Sequence, residues 1–212
     1  GSLAVGAVAY LLLLALAMPL GSESEATPCI AFGLLGCALL QSLAGLFQLL
    51  GWELGGLVMT KLFRLAFGNI GQANHYANLI WLGFGALLYL FQTRRLAFVV
   101  FALVAVWLAL AASASASRGV WLYIAAFAVL ALWARVRGGA AMERAFAGGL
   151  LIVLVSVGAQ LAVSYGHLLD VFNVTSSLNR VNDASSNGQR LHDWRVAWDA
   201  IRAHPWLGAG AG

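Results

Sequence analysis

The sequence predicts an all-α polytopic membrane protein: about six transmembrane helices, followed by an outward-facing tail that carries an amphipathic helix. Three observations carry this expectation. Hydrophobic residues make up 62% of the 212-residue chain and charged residues only 9%, where a soluble domain holds about 25% charged. The mean hydropathy is +0.87. The apolar residues also gather into runs long enough to cross a hydrocarbon core of about 30 Å, until Tyr165, after which Asn, Ser and Asp take over.

The first run, 3–20, is charge-free and ends at Pro19; the connector after it carries Glu23 and Glu25. The second span is expected over 29–50, with Gln41, Ser42 and Gln48 as its polar groups. Their offsets keep them near one helical face, so they are expected to bond between helices. Cys29 and Cys37 share this run. Eight helical residues rise about 12 Å, too far for a disulfide, so they are expected to be small buried hydrophobes.

Residues 51–74 form a connector with the interfacial aromatics Trp52, Phe63 and Phe67; its middle, 54–65, is expected to form a short interfacial helix. Spans follow at 76–92, closed by Arg94 and Arg95, and at 96–117, ending in a small-residue run before Arg118. The fifth, 119–134, is short for a full crossing, which puts Arg118 near the interface. Arg135, Arg137, Glu143 and Arg144 are expected in the next loop and 145–164 as the sixth span. Residues 171–189 read as polar and turn-rich. Residues 190–203 read as an amphipathic helix, with Leu191, Trp194, Trp198 and Ile201 at three-four spacing. The domain division is therefore 1–164 in the membrane and 165–212 as the start of an outer loop.

Orientation follows from the short loops. Arg94, Arg95, Arg135, Arg137 and Arg144 fall on one side, and Lys61, Arg64 and Arg118 on the other. The positive-inside rule makes the first side cytoplasmic, so Arg118 and the tail face outward. A formal charge of +4 spread over dispersed arginines gives no basis for nucleic-acid binding.

The stretch Arg64 to Asn78 departs from its apolar surroundings. It holds Arg64, Asn69, Gln72, Asn74, His75 and Asn78, with Gly68 and Gly71 between them, at the mouth of a span. Polar groups there are costly to keep, which makes them candidates for function. Taken alone, the amides also suit a helix cap or mutual bonding, Arg118 suits snorkelling, and the 190–203 helix suits an interfacial anchor. Together, the outward elements offer guanidinium groups from Arg64, Arg118 and Arg190 with amide donors. No carboxylate cluster has metal-ligand spacing, so no metal or cofactor is expected. Arginine is suited to phosphate oxygens, and a helix start adds free N–H groups. The chemistry that fits is an anionic, lipid-linked diphosphate in the outer leaflet.

Three ordered motifs carry a family resemblance. The run from Gly68 to Ala77 resembles the G-N-x-x-Q-x-N-H-x-A signature of bacterial protein O-oligosaccharyltransferases, within the O-antigen ligase and polymerase superfamily. Ser117-Arg118-Gly119 resembles that superfamily's turn before a membrane span. Arg190, Trp194, Ala197, His204-Pro205, Gly208 and Gly210 resemble its periplasmic R-x3-W…A…H-P-x-x-G-x-G segment. The resemblance implies a metal-independent glycosyltransferase of the bacterial inner membrane, active on the periplasmic face. Its donor would be an undecaprenyl-diphosphate-linked glycan. Its acceptor would be a Ser or Thr of a periplasmic, pilin-like protein, or lipid A-core if it is an O-antigen ligase. Polymerase activity, lipid-linked glycan transport and a structural role are the other readings. The catalytic set is then Arg64, Arg118 and Arg190, with Asn69, Gln72, Asn74 and His75 binding substrate. The family's histidine, in an H-N/S/Q motif, is expected beyond Gly212.

Overall fold

The computed structural model describes residues 26–60, 65–165, 174, 176–178 and 184–203. The expected first span, Lys61 and Arg64 lie outside the described residues. Within them, six helices have defined bounds: α1 Ala26–Leu50, α2 Ala73–Gln92, α3 Phe98–Ala114, α4 Val120–Arg137, α5 Ala140–Ser164 and α6 Ala184–Ala203. Single 3-10 turns stand at Leu54–Gly56 and Gly68–Ile70 in the connector.

Three helices, α1, α4 and α5, are long and apolar enough to cross a membrane. The apolar α3 is shorter, at 17 residues. Helix α2 has the length, 20 residues, but its first turns carry Asn74, His75 and Asn78. It packs against α1, α3 and α5. Its Tyr76, Ile80, Phe84, Leu87 and Leu90 are fully buried, and Trp81 lies against the rings of Phe84, Tyr123 and Phe127. The apolar surplus faces outward instead: Leu103 on α3, Leu122 and Val136 on α4 and Leu154 on α5 are more than half exposed. Water does not support so broad an apolar surface, whereas lipid does. The bundle is that of a membrane protein.

Because lipid offers apolar helices no hydrophobic reason to associate, close backbone approach has to hold them together. Gly83 shows it. A Cβ added there would stand 2.4 Å from the Cβ of Ala38 on α1. Gly83→Ala is expected to push α1 and α2 apart and to destabilise the bundle by about 1–2 kcal/mol, as overpacked cores do. A lowered unfolding temperature in detergent would register it, and an unchanged one would show that this contact is not tight.

Several local expectations are corrected. No interfacial helix fills the described part of 54–65. Only the turn Leu54–Gly56 forms, because Leu54, Gly55 and Gly56 all have positive φ, at 45°, 69° and 89°. Arg135, Arg137, Glu143 and Arg144 are not loop residues: the first two close α4 and the other two lie in the first turns of α5. The break is confined to Gly138 and Gly139, with φ of 70° and 90°, and α5 then starts at Ala140 on good helix formers. Helix α6 reaches back to Ala184, into the stretch read as turn-rich; polar composition is a weak argument against a helix. Cys29 and Cys37 are exposed on α1, not buried. Side chains of α6 from His192 to Ala203 are exposed throughout, the expected apolar positions Trp194, Trp198 and Ile201 included.

Candidate functional site

The site rests on a clamp. Gln48 is buried on α1, and its Oε1 accepts a hydrogen bond from Phe67 N at 2.9 Å. Its Nε2 donates to Met59 O at 2.9 Å and to Gly68 O at 3.5 Å. One turn-pair earlier, Gln41 Oε1 accepts from Asn69 N at 2.9 Å. Glycine suits position 68: at φ +53° another residue is strained, and its Cβ would crowd Gln41, at 2.7 Å from Oε1 and 3.1 Å from the backbone O. Asn69 spends its amide inside the connector, accepting from Met59 N and donating to Leu57 O. The far side of the connector is tied to α3 by Ala66 N donating to Ala114 O at 2.8 Å. The polar face of α1 was expected to bond other helices. Ser42 does, accepting from Trp107 Nε1, but Gln41 and Gln48 hold backbone of the loop.

With the connector fixed, α2 starts beside the end of α3. Gln72 is the N-cap residue but makes no side-chain cap, so the first N–H groups of α2 lack a capping side chain. The chain reverses between α3 and α4 through Ala116, a non-glycine residue at φ 49°. Ser115 Oγ accepts from Ser117 N within that turn. Ser117 Oγ then donates to Asn74 Oδ1 at 3.0 Å, and one helical turn further Tyr123 OH donates to Asn78 Oδ1 at 2.8 Å. With their carboxamide oxygens occupied, both asparagines keep their NH2 ends as donors.

Between these elements lies an open cleft of about 450 Å³ lined by Asn74, Asn78, Ser117, Arg118, Gly119, Leu122, Tyr123 and Ala126. Arg118 is half-buried there, and no carboxylate is among the lining residues. One guanidinium and amide donors in a partly dehydrated cleft make a site for a phosphate-type anion.

The structure thus brings Asn74 and Arg118 together. Gln72 and His75 are exposed on the same helix start but do not line the cleft. Asn69 sits in the connector with its amide engaged. Arg64 lies outside the described residues. Arg190 belongs to α6, but its side chain is not among those described. Asn78, named with the polar stretch but not in the substrate-binding set, and Tyr123, not named at all, are cleft residues too. The four-residue spacing of Asn74 and Asn78 puts both on one helical face and would have pointed to the first; no pattern marks Tyr123.

A family model described as O-antigen ligase matches residues 103–212, which takes in most of α3, the Arg118 turn and the helices after it. No curated protein matches the chain, and no solved structure does.

Proposed function

Because the chain belongs to the O-antigen ligase family, we propose that it moves a glycan from undecaprenyl diphosphate to a Ser or Thr hydroxyl of a periplasmic protein. Glycan transfer by a membrane protein of the ligase and polymerase superfamily is what family membership implies; donor, acceptor and topology are our reading. The topology is about six spans in the bacterial inner membrane, with 3–20 as the first and α1 to α5 as the others. The Arg118 end then faces the periplasm and 165–212 begins a periplasmic loop.

One observation carries this reading. Two separate motifs, the asparagines of 68–78 and the Ser117-Arg118 turn, meet in one open cleft through a hydrogen bond between residues 43 positions apart. A merely structural role for the polar groups calls for them to be buried against one another, and Asn74, His75 and Asn78 are exposed instead.

In the reaction, the acceptor oxygen attacks the anomeric carbon while the bond from that carbon to the diphosphate oxygen breaks. Negative charge grows on the departing diphosphate. Arg118 stabilises it, joined by Arg64 and Arg190, and fixed guanidinium groups are worth most where charge is developing. The NH2 groups of Asn74 and Asn78 orient the diphosphate or first sugar, with Gln72 and His75 at the rim. The acceptor proton passes to a general base.

The test uses the full-length protein, purified undecaprenyl-diphosphate glycan, and two acceptors: a pilin-like peptide and lipid A-core. Transfer to the peptide is the expected result. Transfer to lipid A-core alone would replace the acceptor and make the protein an O-antigen ligase. Flipping of the lipid across vesicles without transfer to either would replace catalysis with transport.

A further inference from the structure

The other end of the bundle holds a second cleft, of about 580 Å³, lined by Phe91, Arg94, Ala97, Phe98, Glu143 and Arg144 among others. It lies at the C-terminal end of α2 and the N-terminal end of α3, roughly 20–25 Å along α2 from Asn74 and Asn78. Four features converge there.

The end of α2 is the first. Arg94 N donates to Phe91 O at 3.1 Å and Arg95 N to Leu90 O at 2.8 Å. In this helix ending the left-handed residue is usually glycine. Here it is Arg94, at φ 61°. An arginine thus stands where glycine would be unstrained, and such an outlier points to a use for the side chain. The second feature is Arg144, on the first turns of α5. Its Nε donates to Phe91 O at 3.2 Å, and its guanidinium lies 4.5 Å over the Phe91 ring. Those contacts fix the head and leave its terminal NH2 groups for a ligand.

The third is a pair of helix starts. The N-cap residues Ala97 of α3 and Gly139 of α5 make no side-chain cap, and Ala97 and Ala140 both line the cleft. Two sets of uncapped N–H groups therefore open onto one space, with the positive ends of two helix dipoles. Glu143 is the one carboxylate in the lining; Arg95, Arg135 and Arg137 add positive charge at the same end of the bundle. The fourth is the rim. Phe98 and Val99 are 59% and 66% exposed on the outer side of α3, so an apolar chain has a surface to lie on beside the cleft.

We propose that this cleft binds the phosphate headgroup of an anionic phospholipid, its acyl chains lying along α3. A phosphate is what two arginines and two uncapped helix starts recognise, and the apolar rim selects a lipid over a soluble anion. The site is separate from the Arg118 cleft and independent of the glycan-transfer reading.

The test compares full-length protein in nanodiscs of phosphatidylglycerol and of phosphatidylcholine. Lipid retained on the purified protein is read by native mass spectrometry. Wild type should retain phosphatidylglycerol over phosphatidylcholine by about ten-fold or more, as expected for several basic groups near an anionic lipid. Two variants favour the fold while weakening the site. Arg94→Gly relieves the left-handed residue and removes one cation. Ala97→Asp supplies α3 with a capping side chain and sets a carboxylate against the ligand. Both should lose most of the preference with unfolding temperatures at or above wild type. Arg118→Ala should keep it. Equal retention of the two lipids by wild type, or a preference that survives both variants, would overturn the proposal. So would millimolar inorganic phosphate stabilising the protein in phosphatidylcholine discs as much as phosphatidylglycerol does, since the ligand would then be a free anion.

Discussion

Arg118→Ala is expected to lower glycan transfer by about 10²–10³-fold, the loss typical when one charge-stabilising donor is removed. The physical reason is the setting. Arg118 is half-buried in a cleft with no carboxylate in its lining, and a charge there is screened less than on an open surface. In the proposed reaction the leaving diphosphate would gain charge as its bond to the sugar breaks. A guanidinium already in place would stabilise that charge without reorganising. The loss should therefore fall mainly on kcat; a rise in KM alone would mean that Arg118 holds the ground state and does not act in the chemical step. Arg118→Lys should recover only part of the rate, because it restores the charge but not the two-pronged geometry. The assay is turnover of full-length protein on purified lipid-linked glycan, with unfolding temperature as the control for folding. Wild-type turnover in the alanine variant would remove Arg118 from the reaction.

Gln48→Leu is expected to destabilise the protein by about 2–3 kcal/mol and to loosen the connector before α2. A buried donor or acceptor left without its partner costs about 1–3 kcal/mol. Leucine nearly matches the volume of glutamine but offers Phe67 N no acceptor and Met59 O and Gly68 O no donor. Phe67 is itself 2% exposed, so water does not readily replace the lost partner. The connector sets where α2 begins, so Asn74 and Asn78 should shift and transfer should fall with stability. Hydrogen exchange over 57–71 is the direct measure. Exchange and unfolding temperature equal to wild type would mean that Gln48 does not clamp the loop.

These two residues differ in how far the sequence revealed them. Arg118 stands out at the end of a small-residue run, in a recognisable turn, and Asn74 within a polar signature. The fate of Gln48 was hidden. Its place on one face with Gln41 and Ser42 suggested bonds between helices, and in a membrane span that is the usual use of an amide. No periodicity reports which backbone groups of a loop will fold back onto a helix. Asn69 is the reverse case: a conspicuous polar residue of the signature bonds through its amide to Leu57 and Met59 within the connector.

Taken by itself, the sequence determined that this chain is a helical membrane protein, which segments are apolar, and which polar stretch interrupts them. Those properties are sums over neighbouring residues, and transfer into lipid depends on composition along one segment without any partner. The tertiary structure decided the rest. It packed the helix that opens on Asn74, His75 and Asn78 against α1, α3 and α5, joined Asn74 to Ser117 and Asn78 to Tyr123, and opened two helix starts onto the arginines at the opposite end. Each depends on how helices rotate and approach one another. That is fixed by contacts such as Gly83 against Ala38, between residues too far apart in the chain for any local pattern to record their meeting.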